Sequence, residues 1–287
     1  MPVFATPGPI TATLDLVMGT TRITAGDGTD TVVELRPGDP TREGDLRAVD
    51  QTRVEFEDGR LLVKSPKSRG LFAKGGAVDV TIHLPHGSSV RGTTAMGSLY
   101  AHGRFGEFRF KSAAGDVEVE RSGPTHLRTA MGNLVVGHVT GEADVLTGSG
   151  DLRVDHIAGS AVARNSNGGI RIGEVTGELR AQNANGDVVV DRALGDVTAK
   201  TANGSVRIDE VVRGTVVLET AAGRLEVGIR EGSAAWLDVR TVLGAVHNSL
   251  ESASGPEGGT DTVEVRARNG FGDIVVRRAT PQQEEQR

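Results

Sequence analysis

Glycine recurs through the middle of this chain at a nearly fixed interval, and that interval restricts what the chain can fold into. Gly97, Gly115, Gly132, Gly150, Gly168, Gly186, Gly204 and Gly223 are separated by 18, 17, 18, 18, 18, 18 and 19 residues. A second series, Gly106, Gly123, Gly141, Gly159, Gly177, Gly195 and Gly214, falls between them with the same period. Each period therefore holds two strand-length halves. A glycine every nine residues or so is incompatible with regular helix, where each costs about 1 kcal/mol relative to alanine.

The residues between the glycines alternate. Two positions after the first series stand Leu99, Val117, Leu134, Leu152, Ile170, Val188, Val206 and Leu225, and two positions further on a second apolar column runs from Ala101 to Val227. The other half repeats this from Phe108 to Val216 and from Phe110 to Leu218. Alternate residues of a strand share a face, so these columns point one way. The pattern predicts an all-β fold: a single-stranded parallel β-solenoid (β-helix) with coils of about 18 residues and two strands per coil. Residue n then stacks on residue n+18 about 4.8 Å away, and the glycines mark corners. Two polar columns are read as continuing inward, Ser112, Thr129, Thr147, Asn165, Asn183, Thr201 and Thr220, then Ala114, Met131, Ser149, Asn167, Asn185, Asn203 and Ala222. Their expected role is structural: ladders that satisfy corner backbone groups.

The period weakens toward both ends. Residues 1–90 are expected to supply N-terminal strands and a cap, residues 91–278 the repetitive solenoid, and residues 279–287 a disordered tail. Pro37, Pro40 and many charges predict a looped excursion over 37–60, and "PKSRGLFAKGG" reads as a basic link. "ESASGPEGGTDT" reads as a surface loop and "DIVVRR" as the last coil, with Arg277, Arg278 and the charged tail guarding its open edge.

The motifs "TAMGNLVV", "TGSGDLRV", "NANGDVVV", "TANGSVRI" and "TAAGRLEV", with the N-terminal "DTVVELRP" and "VDVTIHLP", resemble a bacterial family of unknown function. Its members, common in actinobacteria, are described as β-strand-repeat, adhesin-like proteins. The resemblance spans roughly residues 3–278. It implies a β-helical fold and an adhesin-like role, and it brings no catalytic residues. Some relatives carry membrane anchors, and none is expected here.

Composition narrows the partners. Net charge is −6 with a pI near 5.7, which disfavours bulk attraction to nucleic acid or anionic membrane. Cysteine is absent, so there is neither a disulfide framework nor a thiolate metal site. The first residues lack the basic and continuous apolar regions of a signal peptide, and no stretch reaches the roughly 20 apolar residues of a membrane span. A cytoplasmic protein, monomeric or a small homo-oligomer, is the expectation.

Candidate chemistry is sparse. Asp191 and Asp209 share a column one coil apart, a spacing that suits a retaining glycosidase pair. They lie near a corner without aromatic platforms, and Arg192 and Arg207 can neutralise them. "NGGIRIGEV" has the double glycine of a calcium β-roll but lacks its aspartate. His138 and His156 stack without a third metal ligand. No phosphate loop or nucleophile elbow is present. The expectation is no enzyme, no catalytic or metal site and no cofactor: a non-catalytic scaffold or interaction protein, the alternative being a carbohydrate-active β-helix enzyme acting on a polysaccharide. Outward positions after the second glycine series carry Arg109, Lys111, Arg128, Arg164, Arg180 and Lys200. They form a candidate basic face toward a protein or an anionic polymer.

Overall fold

The computed structural model describes residues 1–66, 76–250 and 261–280. The chain divides into two compact units, Met1–Gly150 and Asp151–Arg287.

In the first unit one sheet runs, in spatial order, through Val3–Ala5, Asp30–Pro37, Val78–Pro85, Thr21–Gly26, Leu99–Arg104, Val117–Ser122 and Leu134–Thr140. The other runs through Arg53–Glu57, Arg60–Lys64, Thr11–Asp15, Ser89–Met96, Phe108–Ala114, Thr125–Met131 and Ala143–Ser149. From Thr11–Asp15 and Thr21–Gly26 onward the strands are parallel, and successive coils add alternately to the two sheets. In the second unit one sheet runs through Leu152–Ala158, Ile170–Val175, Val188–Ala193, Val206–Val211, Leu225–Ile229, Ile274–Arg278 and Val246–Asn248. Its other sheet runs through Ala161–Asn167, Leu179–Asn185, Val197–Asn203, Gly214–Ala222, Thr262–Phe271 and Ala234–Leu243. Both units are thus built of parallel β-solenoid coils.

The register follows the repeat. Val188 pairs with Ile170 and Val206, and Val197 with Leu179 and Val216. All four columns are buried, including Thr125, their one polar member. The core is therefore a pile of thin layers of Val, Ile, Leu and Ala, which suits a chain with only 3% aromatic residues. At the corners the chain needs glycine: Gly186 has φ +129°, and a Cβ there would run into the Gly168 carbonyl oxygen. A corner carbonyl has left the ladder, and the inner polar column supplies its donor. Thr147 Oγ1 donates to Gly132 O at 2.9 Å, Asn183 Nδ2 to Gly168 O at 2.8 Å, Thr201 Oγ1 to Gly186 O at 3.1 Å and Thr220 Oγ1 to Gly204 O at 2.9 Å.

Four expectations need correction. The second polar column faces solvent: Met131, Ser149, Asn167, Asn185 and Asn203 are exposed, because alternation breaks as the strand enters the corner. Asn185 and Asn203 still form a ladder, donating from Nδ2 to Asn167 Oδ1 and Asn185 Oδ1 at 3.1 Å each. The excursion over 37–60 is ordered: a helix, Glu43–Gln51, is followed by the antiparallel hairpin of Arg53–Glu57 and Arg60–Lys64. The buried Asp45 carboxylate ties the helix down, accepting from the Asp39 and Ala77 N–H groups.

The other two corrections concern the end of the chain. Ile274–Arg278 is not the outermost strand. Residues 262–278 insert between the coil of 214–229 and the coil of 234–248, pairing parallel with both. Consequently Arg277 is no edge guard. It lies one strand in, with Nε 2.8 Å from Glu226 and an Nη 3.2 Å from Asp209, while Arg278 donates to the Arg230 and Ser233 carbonyls. The body of the basic link (67–75), most of the Gly/Ser/Pro loop (251–260) and most of the tail (281–287) lie outside the described residues.

Candidate anion-binding face

Outward side chains of the first unit meet on the strands Thr11–Asp15, Ser89–Met96, Phe108–Ala114 and Thr125–Met131. Parallel pairing sets Arg91, Arg109 and His126 in one row, and Thr93, Lys111 and Arg128 in the next. Thr13 and Asp15 extend the two rows by one strand. The alternation of each strand fixes this arrangement. Phe108, Phe110 and Ser112 point into the core, so Arg109 and Lys111 must point out. The side chains enclose a groove of about 480 Å³ on the sheet surface.

The two rows differ electrostatically. Glu107 lies between two guanidinium groups, 2.7 Å from Arg91 and 2.6 Å from Arg109. Hydrogen bonds from Arg91 first and Arg109 second hold its carboxyl below the usual glutamate value. Arg128 reaches Asp144 at 3.1 Å, and Lys64 reaches Asp15 at 3.3 Å. Lys111 is exposed and makes no ion pair among the described residues. Its register neighbours are Thr93 and Arg128, so a cation stacks on a cation with no carboxylate between them in the row. Like charges directly opposite are unfavourable by a few tenths of a kcal/mol, which an anion seated over the row would reverse.

Three of the six residues read from the sequence, Arg109, Lys111 and Arg128, are thus brought together. Arg164, Arg180 and Lys200 belong to the second unit. There Arg180 pairs with Glu178 at 2.8 Å and Lys200 with Glu219 at 2.7 Å, while Arg164 is stacked beside Gln182. Arg91 and His126 join the face beyond the six expected residues. Arg91 could have been found, since it precedes Arg109 by one 18-residue period.

The other sequence candidates are occupied. Asp191 takes Arg171 on both oxygens, at 2.9 and 3.1 Å, and Asp209 takes Arg207 at 3.0 Å and Arg277 at 3.2 Å. Arg192 faces Glu174 and Glu210 in its own row rather than neutralising the aspartates. His156 sits 3.4 Å from Glu174. A larger groove in the second unit, about 1090 Å³, runs past Trp236, and three of its four carboxylates are engaged: Glu178 with Arg180, Glu264 with Arg266 and Asp196 with the Thr215 N–H. Among the described residues no three His, Asp or Glu side chains are grouped to hold a metal ion, and no helix is long and apolar enough to cross a membrane.

Among curated proteins none matches the sequence. Solved structures similar to it include a "putative adhesin" from Bacteroides fragilis, 11% identical, with 96% of this chain and 95% of that one covered at a TM-score of 0.37. A "putative cell adhesion protein" from Clostridium sporogenes is 11% identical, with 96% and 98% covered at 0.27. A "putative lipid binding protein" from Parabacteroides distasonis is 10% identical, with 97% and 96% covered at 0.33. A family model described as Toastrack DUF4097 matches residues 39–193. That segment is more than half of the chain and carries the glycine-cornered coils from Gly97 to Gly186 together with three of the four strands of the basic groove, and the chain belongs to the Toastrack DUF4097 family.

Proposed function

We propose that this protein is a non-catalytic, adhesin-like interaction protein whose first unit binds an anionic polymer along the Arg91–Arg109 and Lys111–Arg128 rows. The observation that carries this reading is Lys111, a cation with no carboxylate partner among the described residues, stacked directly on a second cation. In the second unit Glu174, Arg192 and Glu210 alternate in sign along one row, and where Arg153 stacks on Arg171 each guanidinium has its own carboxylate, Asp155 and Asp191. Stacked strands repeat every 4.8 Å or so, a spacing that presents cations serially to a chain of sulfate, phosphate or carboxylate groups. Arginine adds bidentate geometry to that recognition.

The test is retention on immobilised dextran sulfate with neutral dextran as control. A protein of net charge −6 gains nothing from bulk attraction, so retention requires a local site. The wild type is expected to bind and to elute with salt, and Lys111→Gln combined with Arg128→Gln to pass through while melting close to the wild type, since only one exposed ion pair is lost. Wild-type protein in the flow-through would refute the reading.

A further inference from the structure

The second unit ends in space on the strand Ala234–Leu243, which pairs on one side with Thr262–Phe271 and on the other with nothing among the described residues. The end is open. Leu237 and Val239 continue columns whose inner members, Val265 and Ala267, are completely buried, yet both are only half-buried themselves. On the outward side Trp236 is 59% and Val242 79% exposed. A ten-residue edge with apolar side chains on both faces is the kind that folded proteins ordinarily cover or break with charge. We infer that this edge is covered by the same strand of a second copy, paired antiparallel about a two-fold axis through Val239.

The register follows from the backbone. Ala234 N–H donates to Asp261 O, toward the inner strand. In a parallel ladder alternate residues turn both backbone groups to the same side, so Ala235, Leu237, Val239 and Thr241 present theirs to the free edge. An antiparallel partner centred on Val239 places Val239 opposite its own copy and Leu237 opposite Thr241 of the partner subunit. These are pairs whose N–H and C=O groups face one another and exchange hydrogen bonds.

The side chains agree with that register. Between the hydrogen-bonded pairs, Asp238 falls opposite Arg240 of the partner subunit, and Trp236 opposite Val242 of the partner subunit. Charge meets opposite charge twice and aromatic meets β-branched twice, both favourable cross-strand pairs. In the single chain Arg240 leans on its own Asp238 at 3.2 Å, and Asp238 also takes Arg268 at 3.3 Å. The acid therefore already stands at the edge with cations on either side. The inner faces benefit too, since Leu237 and Val239 of each copy cover the open column of the other. A two-fold contact of this kind closes on itself and stops at two copies.

Two kinds of variant test the inference, read by sedimentation equilibrium across a concentration series. Val239→Pro removes the central N–H, which the chain does not use internally, and proline is tolerated on an edge strand. The charge variants Asp238→Arg and Arg240→Asp each set like charges opposite in their own dimer and opposite charges in a mixture of the two. We expect twice the chain mass for the wild type and the single-chain mass for Val239→Pro and for each charge variant alone. Mixing the two charge variants one to one should restore the doubled mass, a result that misfolding cannot produce. The inference is overturned by a wild type that stays at one chain mass up to its solubility limit or grows beyond two. It is equally overturned if the dimer persists in Val239→Pro, or if the mixed charge variants remain monomeric.

Discussion

Lys111 and Arg128 occupy directly paired positions on neighbouring parallel strands, both facing solvent. Arg128 is drawn toward Asp144 and Lys111 is left with the repulsion. Such an arrangement gains stability when an anion is present and gives up a little when it is absent. It separates the two readouts of one substitution.

Lys111→Glu should therefore weaken binding to a sulfated polymer without weakening the fold. A hydrogen bond to a charged group contributes about 1.5–3 kcal/mol, so affinity is expected to fall by about tenfold or more. The melting temperature should hold or rise slightly, because the new carboxylate faces Arg128. Titration calorimetry and thermal unfolding on the same sample decide it, and a variant that loses stability and binding together would show Lys111 to be structural.

The acid limb of the pH profile should carry the mark of Glu107. Its carboxyl is held below the usual value by hydrogen bonds from Arg91 and then Arg109. A depressed acid contributes stability that is complete above the usual glutamate value and is lost as pH falls through the lower folded-state value. In that same window Arg91 and Arg109 are released to other anions. Polymer affinity should rise there as stability falls. Glu107→Gln should bind more tightly at neutral pH and show no such rise on acidification; persistence of the rise would assign it to another carboxylate.

Corner carbonyls supply a stability test. Thr201→Val keeps the shape of the side chain but leaves the Gly186 carbonyl without its donor, at a cost of about 1–3 kcal/mol for an unsatisfied buried group. Asn185→Ala removes an equally regular ladder from the solvent side, and surface changes of that kind stay within about 0.5 kcal/mol. Chemical denaturation of the two variants should separate them clearly. Equal losses would mean that the outer asparagine ladder carries as much as the inner column.

These outcomes also measure what the sequence can reveal. The columns of Val188 and Thr201 are legible because stacking at one period forces like onto like, so a fixed glycine interval determines register, core and corner together. The helix Glu43–Gln51 is not legible. It is short, contains Gly44 and is held by contacts of Asp45 with Asp39 and Ala77, the second of which is remote in sequence. Nor is the insertion of residues 262–278 inside the coil of 234–248, since Val265 fits the register of Val216 and of Leu237 equally well. The candidate face was legible by half. Arg109, Lys111 and Arg128 follow corner glycines, whereas Arg91 keeps the 18-residue spacing to Arg109 but follows Ser88 where the later coils have a corner glycine.

The row through Arg192 gives the converse of Lys111. Along it His156, Glu174, Arg192 and Glu210 are paired strand to strand, and the charges alternate in sign. Arg192 lies 3.4 Å from Glu174 and 3.7 Å from Glu210, and Arg230 meets Glu210 from the far side at 3.9 Å. Arg192→Met keeps most of the aliphatic stem and removes the charge that separates two carboxylates. Partly exposed pairs contribute about 0.2–1 kcal/mol each, so a loss on the order of 1 kcal/mol is expected for two. High salt should shrink it, because screening weakens both the lost attractions and the repulsion left behind. Lys111→Met should cost nothing and show the opposite salt response, since the wild-type repulsion is what salt relieves. Denaturation midpoints of both variants at low and high salt test the pair. If the two respond alike, the sign of the stacked neighbours does not determine what an outward charge does in this fold.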